Sequence, residues 1–141
     1  MTQEDMKLLL KDLCARQPYG VKIDSGGIGK TLESITIKPD YIEIVIKGVY
    51  AYCHFIHKDT GEWDTDDDFD RCKPYLRPMS SMTEEEEKEY LDIDNLSYSC
   101  PMAYAHVPAS DRIDWLNRYH FDYHGLIPKG LAIEAPDGMY N

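Results

Sequence analysis

The chain lacks the features that would assign it to a class at once: paired cysteines, a long hydrophobic run and an excess of basic residues. Its four cysteines, Cys14, Cys53, Cys72 and Cys100, form no CxxC pair. That spacing matches neither a zinc ribbon nor a thioredoxin-type redox motif. No stretch approaches the roughly 18 apolar residues of a membrane span. The opening MTQEDMKLLLKDLCARQ puts acids ahead of its apolar cluster, which Lys11 and Asp12 interrupt. A signal peptide needs a basic start and an unbroken apolar stretch. The expectation is a soluble cytoplasmic protein with reduced thiols. Lysine and arginine number 15 against 26 aspartates and glutamates, for a net charge of −11. Such a surface repels phosphate, so direct nucleic-acid binding and docking on anionic membranes are disfavoured.

What the chain does have is core-forming material. Its 141 residues suit one domain spanning 1–141, and 43% apolar content with 11 Tyr and 2 Trp is enough to build one core. The acidity is local. Residues 59–94 hold 14 acids and 4 bases, whereas the rest of the chain is nearly neutral.

Met6, Leu9, Leu10 and Leu13 recur at helical spacing, so residues 3–16 form an amphipathic helix capped by Thr2 and ended by Pro18 and Gly20. The period then changes to two. Val21 and Ile23, Ile35 and Ile37, and Ile42, Ile44 and Ile46 mark half-buried strands, with turns at 25–29 and at Pro39-Asp40. Residues 49–56 are β-branched and aromatic enough for a further strand. Residues 57–70 read as an acidic loop. Pro74 and Pro78 hold an extended crossing segment around Tyr75. Thr83 and Glu86, or Ser81 and Glu84, have capping-box spacing for a helix to Asp92. Weak alternation at Leu96, Tyr98 and Cys100 suggests a strand within 93–109. Ser110 or Asp111 starts a helix through His120, ended by Gly125, and 131–134 suits a short strand. A cluster of Trp115, Leu116, Phe121 and Leu126 is expected to join the C-terminal part to the first helix. The fold class is α+β: a small, mostly antiparallel sheet with the N-terminal helix and the 111–120 helix packed on it.

Three patterns look chemical. GGIGKT at 26–31 resembles the end of a phosphate-binding loop, but Asp24 stands where that loop needs glycine, and a strand-like segment follows the lysine. A glycine-rich hairpin turn is the better reading. Asp64, Asp66, Asp68 and Asp70 alternate like calcium ligands, but Phe69 and Tyr75 occupy the positions that require glycine and glutamate. The histidines His54 and His57, and His120 and His124 with Asp122 between them, are weak candidates for a metal site. The first pair lies on a strand, where positions three apart face opposite ways, and the second straddles a helix end. No cofactor is expected, and neither GxSxG nor HExxH occurs.

Three blocks carry a resemblance: 1–23, KPYLRPMSSMTEEEEKEYLD at 73–92, and IDWLNRYHFDYHGLIPKGLAIEAPDGMYN at 113–141. Together they cover about half the chain. They resemble a family of small uncharacterised proteins carried by phages, prophages and other mobile elements of gut Bacteroides and related bacteria. Residues 25–70 and 93–110, and also Tyr119 and His124, diverge from it. The resemblance implies a bacterial cytoplasm as the setting. It transfers no catalytic residue.

The leading expectation is a non-enzymatic accessory protein of a mobile element that binds a host or phage protein, with homo-oligomerisation left open. A small metal-assisted hydrolase or nuclease using His54, His57, His120, Asp122 and His124 is the first alternative. An acidic nucleic-acid mimic built on 59–94, or a protein that sequesters a small nucleotide, is the second.

Overall fold

The first helix forms where its apolar stripe and its cap coincide. In the computed structural model, which describes residues 2–38, 41–47, 49–57, 62–63, 72–98 and 107–140, α1 spans Gln3–Arg16. The Thr2 hydroxyl accepts from the Asp5 amide, and the Asp5 carboxylate accepts from the Thr2 amide, which satisfies two of the amides a helix start leaves open. Pro18 sits in a short 3-10 turn at Gln17–Tyr19, and Gly20 in the left-handed region releases the chain toward the sheet.

Five strands then form an antiparallel meander in sequence order: β1 Lys22–Ser25, β2 Ile28–Ile37, β3 Tyr41–Ile46, β4 Val49–His57 and β5 Glu62–Trp63. The glycine-rich segment is the β1–β2 hairpin. Ser25 pairs with Ile28 around Gly26 and Gly27, both at positive φ, as a two-residue turn of matching twist requires. The Asp24 carboxylate accepts from the Gly27 amide and from the Tyr75 hydroxyl. The residue that breaks the phosphate-loop pattern is therefore the one that pins the turn. β3 alternates as its isoleucines require, with Ile42, Ile44 and Ile46 buried. The expected 57–70 loop is interrupted, since His57 ends β4 and Glu62–Trp63 pair back onto it. Asp64, Asp66, Asp68 and Asp70 lie outside the described residues.

The main core joins α1 to the sheet. Met6, Leu9 and Leu13 meet Ile23, Leu32, Ile42 and Ile44, and Leu76 and Leu126 complete it. Leu76 comes from β6 (Tyr75–Leu76), which pairs in parallel with β7 (Ile133–Glu134) within the segment expected to be extended.

Two helices form the rest, and both differ from the sequence expectation. α2 spans Glu84–Tyr98, so the strand expected around Leu96 and Tyr98 is helix instead. Tyr90 and Ile93, three apart, pack beside Trp115, and that tertiary contact outweighs a two-residue alternation. Thr83 and Glu86 form the capping box, each side chain accepting from the other residue's amide at 3.1 Å. α3 spans Val107–Arg118, beginning before Ser110 and ending before His120, with Pro108 in its first turn where a missing amide costs little. Its left-handed terminator is His120 at φ 64°, well before Gly125. The Phe121 amide reaches back to the Leu116 carbonyl and the His120 amide to the Asn117 carbonyl, a Schellman ending. This reversal separates the expected cluster. Only Leu126 reaches the α1 core, while Trp115, Leu116 and Phe121 form a second core with Tyr90, Ile93 and Met82.

No described helix is long and apolar enough to cross a membrane. Cys14 and Cys72 are free thiols.

Candidate functional site

At the seam between α1 and the turn after α3, His124 meets two buried charges of the first helix. α1 carries two charged residues on its apolar face, Asp12 and Arg16, one helical turn apart and fully buried. The pair is forked: Arg16 Nε to Asp12 Oδ2 is 2.7 Å and Arg16 Nη2 to Asp12 Oδ1 is 3.0 Å. The same Nη2 donates to the Phe121 carbonyl at 2.6 Å, and the guanidinium lies 5.1 Å from the centroid of the Tyr123 ring. His124 Nδ1 closes the group at 2.9 Å from Asp12 Oδ1. A carboxylate with three nitrogens on its two oxygens has most of its acceptor capacity engaged. Asp12 thereby ties the C-terminal turn to the first helix.

His120 stands beside this group. Its left-handed backbone is uncommon for a residue with a Cβ. It is 7% exposed, and its ring stacks on Tyr140 with centroids 3.7 Å apart. Its Nδ1 and Arg16 Nη1 are buried without a hydrogen-bond partner among the described residues. Burial, reinforced by the positive charges of Arg16, Arg77 and Lys22, pushes the imidazole down to about 4, so it is neutral at physiological pH.

Asp122 does backbone work. Its two oxygens accept from the Leu126 and Ile127 amides at 2.8 and 2.9 Å, holding the turn that delivers Leu126 to the core. Tyr140 anchors the C-terminal segment. Its hydroxyl accepts from the Lys22 amide and donates to the Tyr75 carbonyl, and burial pushes its pKa up to about 12.

Next to Tyr140 opens a cleft of about 470 Å³ between residues 78–86 and 134–138. Arg77, Glu86, Tyr119, Glu134, Asp137 and Tyr140 contribute to its lining. Arg77 is fork-bonded to Glu86 at 2.6 and 2.7 Å and lies 4.2 Å over the Phe121 ring centroid. The hydrogen bonds from Arg77 hold the Glu86 carboxyl below its ordinary range.

No family model matches this chain, and no curated protein or solved structure matches it significantly. The site is therefore read from its own geometry.

Of the five residues nominated from the sequence, the structure gathers His120, Asp122 and His124 in one turn but gives each a different partner. His54 and His57 lie on β4, with His54 opposite Tyr41, and their side chains fall outside what is described. Among the described residues, no three His, Cys, Asp or Glu side chains are grouped to hold a metal ion. Asp12 and Arg16 were not nominated. Their signal was present as a charged residue interrupting an apolar stripe, with an opposite charge four residues later. The cleft had no local signal, because its walls come from segments about 50 residues apart.

The low value at His120 has a sign that can be measured. Between about pH 6.5 and 4 the unfolded chain binds a proton at this residue and the folded chain does not, so stability falls with pH across that window and levels off below it. A shift of this size corresponds to about 3 kcal/mol, which solvent screening of a ring that is not fully enclosed reduces to about 2 kcal/mol. Urea unfolding of wild type and His120→Asn at several pH values should show that part of the slope only in wild type. Asparagine tolerates the left-handed backbone. Identical slopes would show that His120 protonates freely in the folded state.

Proposed function

We propose that this chain is a non-enzymatic binding protein of a mobile element, acting on a protein partner. The observation that supports this reading is how the reactive side chains among the described residues are used. Asp122 is committed to two backbone amides, Asp12 to Arg16 and His124, and His120 to a buried stack. General acid–base chemistry needs such groups poised toward a substrate, whereas here they brace the C-terminal segment against α1 and the sheet. What the bracing holds in shape is a surface, including the cleft beside Tyr140. The mobile-element setting rests on the resemblance of the three sequence blocks.

Affinity capture with a tag at either terminus, followed by reconstitution with the purified partner and calorimetry, tests the reading. The expected result is one protein recovered with both tags that rebinds at defined stoichiometry. Recovery of background proteins alone with both tags would remove it. The acidic-mimic alternative draws on exposed Glu84, Glu85 and Glu87 in the first turn of α2. It predicts that the captured protein is itself a nucleic-acid binder that nucleic acid displaces.

A further inference from the structure

We infer that the cleft beside Tyr140 seats an arginine side chain of the partner, an inference that rests on the binding reading above. The first reason is charge. One arginine and three carboxylates line the cleft, and the arginine is already taken: Arg77 is fork-bonded to Glu86 and covers Phe121. Glu134 and Asp137 are exposed at the rim, and neither forms a salt bridge among the described residues. An incoming cation therefore meets two uncompensated carboxylates and displaces no existing pair. The chain's net charge of −11 steers partners of the same kind toward it.

Size and shape narrow the cation. About 470 Å³ accommodates one long side chain, being too small for a helix. Tyr119 and Tyr140 offer aromatic surface, and a planar, weakly hydrated guanidinium uses such surface better than a compact ammonium does. Its fork can also address two separate carboxylates.

The walls are fixed before anything binds. The Tyr140 hydroxyl is held by two backbone groups and its ring by His120, while Glu86 is held by Arg77 and by its own helix cap. A preformed wall spares the ordering cost that weakens most contacts with single side chains.

The test is an NMR titration of the labelled full chain with N-acetyl-arginine-N-methylamide, run beside the neutral citrulline analogue. Saturable shifts at Tyr119, Glu134, Asp137 and Tyr140 are expected with arginine and absent with citrulline. Glu134→Gln combined with Asp137→Asn should weaken binding about fivefold, which is about 1 kcal/mol for the two rim charges together. Both residues are exposed, so the fold should be retained, and spectral dispersion checks this. Equal shifts with citrulline, shifts centred elsewhere, or no saturation would overturn the inference. A captured partner that binds the double variant as tightly as wild type would overturn the cleft as its seat and leave the binding reading standing. Specific seating of the probe in a chain that captures no protein would support the cation site and overturn the protein-partner reading instead.

Discussion

Replacing Arg16 with methionine should cost about 3–5 kcal/mol of folding stability, because it leaves a buried carboxylate without its counter-charge. Asp12 is fully buried, so water cannot take over the lost role, and among the described residues His124 is the one other side chain bonded to it. The Phe121 carbonyl loses one of its two donors in the same step and keeps the Tyr123 amide. Asp12→Leu alone strands the guanidinium and should cost a similar amount. The double variant is the informative one. Apolar residues of comparable volume can replace a buried pair at little net cost, so Asp12→Leu with Arg16→Met should be less destabilised than either single change. His124 and the Phe121 carbonyl still lose partners, which keeps the double variant below wild type by about 1–3 kcal/mol. Denaturant unfolding of the four proteins yields the coupling directly. Should a single variant fail to fold, Asp12→Asn retains an acceptor and supplies a milder arm. Additive single effects would mean that the two charges do not act as a pair.

Asp122→Ala should rank next, at about 3 kcal/mol, since it removes a charged acceptor from two amides and leaves the buried one at Leu126 unsatisfied. Asp122→Asn keeps one acceptor oxygen and should lose about half as much. Amide hydrogen exchange separates this from general destabilisation. Leu126 and Ile127 should lose protection by a larger factor than Ile42 or Ile44 in the sheet core. Uniform loss across the molecule would assign Asp122 no local role.

How much of this was legible beforehand depended on the range of the forces involved. The N-terminal helix was readable because its stripe, cap and terminator lie within 19 residues of one another. The meander was readable because alternation at 35–37 and 42–46, punctuated by Gly26 and Gly27, states both the strands and their turns. The 93–98 segment was misread because its alternation is weak and its helical state depends on Trp115, which arrives from another helix. The end of α3 was misread because glycine is the usual left-handed terminator. Here a histidine takes that place, held by its stack on Tyr140, 20 residues further along.

The site divides along the same line. His120, Asp122 and His124 stood out as a cluster, but nothing local said that each would face a different partner. Asp12 looked like an interruption of a stripe, and only its burial against Arg16, His124 and the turn after α3 makes it a tie between the two ends of the chain. Local patterning was enough for an acidic α+β chain with a capped helix, a meander and one capping box, because periodicity and caps act over one or two turns. The buried charge cluster, the stacked histidine and the cleft were decided by tertiary structure alone. Each depends on burial and on contacts between residues far apart in sequence, and solvent exclusion is a property of the assembled fold.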